Sequence, residues 1–428
     1  MKRLLLIVAA LLSLHVVSAQ ETATVKEEKT IKFKPYGFVR NYFYYDSRQN
    51  LQSSNGLFNQ IPKDEANNIL GEDMNEVASS SFLAITTRLG LNITGPDVLG
   101  AASSAKIETD FSGFSSSTTM LRIRQAYMKL DWKRNSVLAG QTWHPMYGDI
   151  FPDVLALSSG SPFQPFSRAP QIRYDYRISS LKLSLAALYQ LQYLSVGPDG
   201  ANASYSKNAI LPELYAGIEF KKSGLTLGAG VDYSRIKPRS TADVEYQLAS
   251  GKDTTIKRKV SDYVQGISPM VYFKYTVGQF DISARSVLGQ NTAHLNMMSG
   301  YGVSGTKSDG SLEYTPLRNS TSWVDISYGK KFKGNLFLGY SKNLGTSDDV
   351  TGTVYVRGYN NIDQFYRNID QFYRIAPSFS YNLKHFNIGI EYELTTVAYG
   401  KKIDKKCKVS DTHNVSNNRI CGMIKYNF

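Results

Sequence analysis

The residues with the clearest chemical use are arginines that recur on the polar side of segments in which apolar and polar residues alternate. Arg88 is the clearest case, and Arg40 and Arg285 also stand opposite mostly apolar neighbours. Arg122 and Arg124 share one parity with each other. A guanidinium group offers paired N–H donors that match a carboxylate. Several of them on one water-facing surface would therefore favour anionic solutes, although any single arginine could be an ordinary water-facing charge.

Acidic residues and two further arginines complete the candidate set. Glu108 and Asp110 alternate with apolar Ile107 and Phe111. The other members lie in one long stretch, Gly140 to Tyr176: Asp149, Asp153, Arg168 and Arg173. We expect the acids to face the arginines, because opposed basic and acidic walls set a field that orients dipolar solutes.

No catalytic or metal-binding motif accompanies these charges. Four histidines are scattered over the chain after its first twenty residues: His144, His294, His385 and His413. No GxSxG, HExxH, CxxC or phosphate-loop sequence occurs. The sequence therefore predicts neither an enzyme nor a cofactor or metal site.

Placing the charges on one surface requires β-strands. Between Phe82 and Thr94, Leu89, Leu91 and Ile93 alternate with Arg88 and Asn92. About sixteen such segments recur along the chain. Along the chain, tight connections such as DWKRN and KKSG alternate with long polar connections. This order predicts an antiparallel meander that has its short turns at one end and its long loops at the other.

A closed transmembrane β-barrel explains both patterns. A bilayer offers no partner for backbone N–H and C=O groups, so a spanning sheet must close on itself. Lipid outside and water inside then impose the alternation. Sixteen strands would enclose an aqueous lumen. The alternative is a soluble β-sandwich or propeller, in which the apolar rows would face inward.

The N-terminus predicts export. Lys2 and Arg3 precede an apolar run from Leu4 to Val17, which is followed by the small-residue site Val17-Ser18-Ala19. This pattern is typical of a signal peptide, and the apolar run is short for a membrane span. We expect a signal peptide over residues 1–19, a short periplasmic segment over residues 20–30 and the barrel over residues 31–428, in the outer membrane.

The charge and the cysteine content narrow the class further. The net charge is +13, and loss of Lys2 and Arg3 with the signal peptide leaves +11. Export argues against nucleic acid as the partner of this basic chain. Two cysteines, Cys407 and Cys421, exclude a disulfide-stapled scaffold. The two thiols could pair once or stay free.

The stretch Gly140 to Tyr176 is the third long loop, and it is rich in Pro, Phe, Ser and Gly. Since Phe151, Phe163 and Phe166 would gain by packing inward, we expect the loop to fold into the lumen. A cap over the barrel mouth is the alternative.

Two local irregularities also follow from parity. Met128 has the same parity as Arg122 and Arg124, so a register shift is required near Gln125 or Ala126 if the arginines face inward. The heptapeptide NIDQFYR occurs twice, as Asn361–Arg367 and Asn368–Arg374.

An odd spacing puts equivalent side chains of the two copies on opposite faces of one strand. Only the second copy therefore fits a strand. Ile369 and Tyr373 would face outward, and Asp370, Phe372 and Arg374 inward. The first copy would lie in the preceding loop, as a tolerated duplication or a small functional array.

Four segments resemble trimeric outer-membrane porins, in particular the DcaP-like group. They are YGFVRNYFYYDSR (36–48), LRIRQAY (121–127), GQTWHPM (140–146) and RAPQIRY (168–174). The resemblance implies a sixteen-stranded trimeric barrel with an infolded third loop that passes dicarboxylate-type anions. The short segment before the first strand departs from DcaP-type porins, which can carry an extended N-terminal coiled coil.

The expectation is an outer-membrane porin with lipid around it, a homotrimer that passes small hydrophilic and preferentially anionic solutes. Two alternatives remain open. One is a substrate-specific uptake channel with a saturable site, and the other is a plugged barrel with an adhesion or assembly role.

Overall fold

The computed structural model describes residues 30–53, 56–113, 120–156, 159–357 and 368–428. The expected signal peptide, all but the last residue of the segment 20–30, and the first copy of the repeated heptapeptide lie outside the described residues.

Sixteen strands form one antiparallel wall. In chain order they are β1 (Lys32–Asp46), β2 (Ser79–Leu83 and Arg88–Thr94), β3 (Ala102–Asp110), β4 (Arg122–Asp131), β5 (Asn135–Trp143), β6 (Arg168–Ile178), β7 (Leu181–Leu188), β8 (Glu213–Lys222), β9 (Leu225–Ile236), β10 (Val264–Val277), β11 (Phe280–Gln290), β12 (Arg318–Gly329), β13 (Phe332–Gly345), β14 (Ile369–Asn382), β15 (Phe386–Ile403) and β16 (Val409–Asn427). β2 is counted once because both of its parts pair with β1.

The wall is closed. Each strand pairs with the next one along the chain, and β1 pairs with β16 from Phe38↔Asn427 to Asp46↔Arg419. Closure leaves no free sheet edge, as a spanning sheet requires. The predicted sixteen-stranded antiparallel barrel is confirmed.

Apolar rows face outward. On β15, Ile388, Ile390 and Tyr392 are exposed, whereas the adjacent Glu391 and Glu393, which have the other parity, are buried. The same alternation places Leu89 and Ile424 on the outer surface. A soluble sandwich would turn these rows toward a dry centre, so the barrel explains the sequence pattern and the sandwich does not.

The connections differ at the two ends as predicted. Turns of two or three residues join β4 to β5, β6 to β7 and four later pairs, the last being β14 to β15, whereas the turn before β3 is longer. The opposite end carries small secondary elements: the hairpins Asn50–Ser53/Phe58–Pro62, Val196–Gly197/Gly200–Ala201 and Thr241–Gln247/Asp253–Lys259, the sheet Gly300–Thr306/Leu312–Pro316/Val354–Val356, the helix Ser204–Asn208 and the 3₁₀ turn Ala293–Leu295. In the described part of the chain, no helix is long and apolar enough to cross a membrane.

The register shift expected in β4 is present. Glu108 pairs with Gln125 while Thr109 pairs with Ile123, so Arg124 is the extra residue of a bulge. The bulge lets Arg122 and Arg124 stay on the inner side while Met128 is exposed on the outer side.

The second copy of the heptapeptide lies in β14, with one difference from expectation. Tyr373 is exposed, and Phe372 and Arg374 are buried, as predicted. Ile369, however, is buried, and the pairing with β15 shifts between Ile369 and Gln371. The prediction assumed an unbroken strand. Because of this bulge, Ile369 and the adjacent Asp370 lie on the sides opposite to those predicted.

Candidate functional site

Arginines and acids of three consecutive strands form an ion-pair cluster on the inner wall. Arg122 binds Asp110 through both Nε and Nη2, at 2.8 and 3.0 Å. Arg124 bridges the two acids, with Nε 2.8 Å from Glu108 Oε1 and Nη1 2.5 Å from Asp110 Oδ2. Arg88 Nη1 lies 3.6 Å from Glu108 Oε1. Three arginines against two acids leave the cluster with one net positive charge.

The two acids lie beside the arginines and not opposite them, which corrects the expected pair of facing walls. Arg88 is directly paired with Asp110 between β2 and β3, and Asp110 with Arg122 between β3 and β4. Sequential strands of a meander are neighbours, so charges on β2, β3 and β4 share one wall. Glu108 and Asp110 therefore neutralise that wall in part and do not form an acidic wall across the lumen from it.

Two further arginines are held by aromatic rings. Arg40 donates from Nε to Thr86 Oγ1 at 3.0 Å, and its guanidinium lies 4.8 and 4.9 Å from the rings of Phe38 and Tyr42. Arg168 is buried, and its guanidinium lies 3.7 Å from the ring of Trp143. Such cation–π contacts fix the position of a positive charge without neutralising it.

The third loop, residues 144–167, begins with contacts to β5 and to β11. Arg285 of β11 donates to the carbonyls of Met146 and Ile150, each at 2.6 Å. Trp143 stacks on Tyr147 with ring centroids 3.9 Å apart. These contacts hold the first turn of the loop close to the wall.

The loop then reaches strands on the other side of the barrel. The backbone N–H of Asp153 donates to Asp325 of β12 at 3.1 Å. The N–H of Leu155 donates to Glu391 of β15 at 2.7 Å. Because β12 lies seven positions and β15 six positions from β5 in a closed ring of sixteen, a chain leaving β5 must cross the interior to meet them.

Arg374 of β14 is the main anchor of this crossing. It is buried and donates to the carbonyls of Ser159 and Ser161 in the third loop, at 3.0 and 2.8 Å. It also donates to the carbonyls of Asn59 and Gln60 in the first loop, at 3.1 and 2.9 Å. One guanidinium thus ties two loops to the wall. The sequence marked Arg374 as inward-facing but gave no sign of these partners.

A glycine makes room for the loop. Phe163 is fully buried against Phe337 and Phe372. A Cβ added to Gly339 would lie 2.6 Å from Phe163 Cγ, far inside van der Waals contact. The repeated glycines on the inner face are the sequence signal for such close packing.

A cavity of about 460 Å³ lies beside the crossing, at the end of the barrel that carries the short turns. Its basic and acidic lining residues are Arg40, Lys330, Lys333, Lys425, Asp153 and Asp281. Lys333 forms an ion pair with Asp153, and Lys274 lies 3.8 Å from Asp281. The three lysines were not predicted from the sequence, where arginine was favoured for its paired N–H donors.

The other two candidates lie apart from this cavity. Asp149 is mostly exposed and lies 3.4 Å from Lys182 Nζ. Arg173 Nε lies 3.3 Å from Asp175 on its own strand. The structure therefore brings Arg40 and Asp153 to the cavity, gathers Arg88, Glu108, Asp110, Arg122 and Arg124 into the ion-pair cluster, and places Arg168 and Arg285 at the ends of the third loop.

One further cluster could hold a metal ion. His144, Glu213 and His294 are buried, and their ligand atoms all lie within 4.8 Å of one another. Sequence spacing gave no sign of it, since Glu213 is 69 residues from His144 and 81 from His294.

Solved structures share this fold. The outer membrane channel DcaP of Acinetobacter baumannii superposes with a TM-score of 0.65 at 21% identity, over 95% of this chain and 100% of that chain. The barrel has the fold of a DcaP-like outer-membrane channel. The resemblance predicted from the sequence is thereby confirmed at the level of the fold.

More distant channels agree with this DcaP-like fold. OmpT, an outer membrane protein of Vibrio cholerae in a trimer form, gives a TM-score of 0.54 at 13% identity, over 94% of this chain and 100% of that chain. OmpF of Salmonella typhi in complex with daunomycin gives 0.50 at 11% identity, over 92% and 97%. No protein-family model and no curated protein sequence matches the chain. Cys407 and Cys421 are both buried and are not joined to each other by a disulfide.

Proposed function

We propose that the protein is an outer-membrane porin through which small hydrophilic solutes diffuse passively, with a preference for anions. The observation that carries the proposal is the third loop, which is anchored across the interior beside a cavity with four basic and two acidic lining residues. Lipid surrounds the apolar outer rows, and water fills the interior.

The cavity supplies the anion preference. Arg40 is oriented by Thr86 and two aromatic rings, none of which neutralises its charge. Lys425 lies 5.3 Å from the ring of Phe38 in the same way. With Lys330 and Lys333 against two acids, the lining has two net positive charges. An anion that enters the cavity replaces part of its hydration shell with these donors. It leaves again because the charged lining is open to water.

The anchoring of the loops favours a second candidate, a channel with a defined solute site. Arg374 fixes the third loop and the first-loop hairpin to one wall at four carbonyls. Rigid walls around a narrow passage hold donors at fixed distances, which is the condition for saturable binding. A porin without such a site and a channel with one differ in whether current saturates with solute.

Charge reversal at the cavity tests the proposal. We expect the purified wild type in a planar bilayer to show an anion-selective reversal potential under a KCl gradient. The double variant Lys330→Glu with Lys425→Glu changes the lining from two net positive to two net negative charges, so the sign of the reversal potential should invert.

Lys252→Glu supplies the control, because Lys252 is exposed in the turn of a loop hairpin. This variant should keep the wild-type potential. An unchanged potential in the cavity variant, or equal shifts in both, would contradict the proposed role of the cavity. Current that saturates with an added organic anion would favour the channel with a defined site.

Assembly and location complete the proposal. A homotrimer in the bacterial outer membrane is the assembly that we infer, since a fold neighbour is described as a trimer form. The domain limits also stay predictions: a signal peptide over residues 1–19, a periplasmic segment over residues 20–30 and the barrel from residue 31. The short turns would then face the periplasm.

A further inference from the structure

Two histidines and two carboxylates from distant parts of the chain meet inside the protein. His144 opens the third loop, Glu213 begins β8, Asp232 lies in β9, and His294 lies in the 3₁₀ turn of the sixth loop. All four side chains are at least 95% buried. Nε2 of His144 and Nε2 of His294 lie 2.9 and 2.8 Å from the same atom, Glu213 Oε1. Asp232 Oδ1 lies 3.9 Å from His144 Nε2.

Three polar atoms of this cluster have no hydrogen-bond partner among the described residues. They are Glu213 Oε2, Asp232 Oδ1 and His294 Nδ1. Unpaired polar atoms in a closed interior are costly, and buried charges are normally paired or bound to a metal. Two of the three are carboxylate oxygens, which are good ligands for a cation.

The surroundings raise the free-energy cost of leaving the two carboxylates without a positive partner. An apolar cluster that includes Met146, Leu295 and Met297 packs beside the site, so the medium around the carboxylates is of low polarity. Two ionised carboxylates would repel each other in such an environment. A divalent cation together with two neutral imidazoles and two carboxylates is electrically neutral, and it needs no proton beyond those of the neutral rings.

We propose that His144, Glu213, Asp232 and His294 form a binding site for a divalent transition metal, zinc in the first place. Two imidazole nitrogens and carboxylate oxygens are a donor set that zinc takes in proteins, at about 2.0–2.2 Å. The two histidines would need to move away from Glu213 Oε1 by a fraction of an ångström. A single ion would then lie between the two Nε2 atoms and the carboxylate oxygens.

Binding at His144 requires a change of tautomer. His144 Nδ1 accepts a hydrogen bond from the backbone N–H of Met146 at 3.1 Å, which favours a proton on Nε2. Metal binding at Nε2 moves that proton to Nδ1 and releases the N–H of Met146. The first turn of the third loop therefore changes its hydrogen bonding when the metal binds.

A metal ion bound at this site would attach two loops to the barrel wall. His144 belongs to the third loop and His294 to the sixth, while Glu213 and Asp232 belong to neighbouring strands. One ion would cross-link both loops to the barrel near the root of the crossing segment. This role is independent of which solutes pass.

Metal content tests the proposal directly. The purified full-length protein is stripped with EDTA, equilibrated with zinc sulfate, freed of excess metal by gel filtration and analysed by mass spectrometry of zinc. We expect one tightly held zinc ion per chain, lost in the double variant His144→Asn with His294→Asn. The control His385→Asn with His413→Asn removes two histidines elsewhere and should keep the ion.

Two further measurements test the metal site even if the double variant fails to fold. Co²⁺ added to the stripped wild type should give the visible absorption of a tetrahedral site, and zinc should abolish it. Asp232→Asn should weaken zinc binding by about tenfold or more. Wild-type protein that holds no zinc, or equal zinc in both histidine double variants, would overturn the site. Neither readout depends on conductance.

Discussion

Replacing Arg374 by glutamine should loosen the third loop without opening the barrel. The Arg374 guanidinium holds four loop carbonyls, those of Ser159, Ser161, Asn59 and Gln60. The sixteen-stranded backbone ladder does not use this side chain, so the wall stays closed. The variant therefore separates the position of the loop from the integrity of the barrel.

The magnitude follows from the four hydrogen bonds. Each contributes about 1 kcal/mol net, so their loss removes about 4 kcal/mol from loop attachment. Since about 1.4 kcal/mol is a factor of ten, detached loop conformations become on the order of a thousandfold more populated. The shorter glutamine also removes the cation 3.2 Å from Glu393, a carboxylate that keeps its hydrogen bond from the Thr395 hydroxyl.

Single-channel recording measures this effect. Arg374→Gln should show a larger mean conductance and stronger open-channel noise than the wild type. Arg258→Gln, the same change at an exposed residue of a loop hairpin, should behave as wild type. Heat-modifiable migration on gels reports whether the barrel is folded. A folded Arg374→Gln barrel with wild-type conductance and noise would refute the reasoning.

Other predictions concern single contacts. Gly339→Val should displace Phe163, because even a Cβ at this position would lie 2.6 Å from the phenyl ring. Single-channel conductance should therefore rise. Unchanged conductance would argue against packing of the third loop at this point. Asp262→Asn should release the fifth loop from the sixth, because Asp262 accepts hydrogen bonds from Arg239 Nε at 2.6 Å and the Leu312 N–H at 2.9 Å. Burial and the Asp262 carboxylate raise the pKa of Tyr314, so this phenol stays protonated and donates to the same carboxylate. Trypsin should therefore cut the hairpin Thr241–Lys259 faster in Asp262→Asn, with conductance unaffected; equal cleavage rates would contradict the link.

The wall was predictable from the sequence because its cause is local. Alternation around Arg88 depends only on lipid and water lying on opposite sides of one strand. The same rule required the bulge at Arg124, since Met128 had to face outward. It failed at Ile369, where a second bulge lies in the strand and nothing in the repeat signals it.

The partners of the side chains and loops inside the barrel were less predictable, because they depend on contacts between residues that are distant in sequence. Parity indicates that Glu108 and Arg124 face inward, but their direct pairing follows only from strand adjacency. Arg374 meets carbonyls more than 200 residues away in sequence. No periodicity encodes such partners, and the convergence of His144 with His294 on Glu213 is equally invisible to spacing.

The most direct test of the account is the reversal potential of the wild-type protein in a planar bilayer under a KCl gradient. We expect a stable open conductance with a potential on the anion-selective side, set by the basic lining that includes Arg40 and Lys425. A folded barrel without conductance, or one with a cation-selective potential, would contradict it.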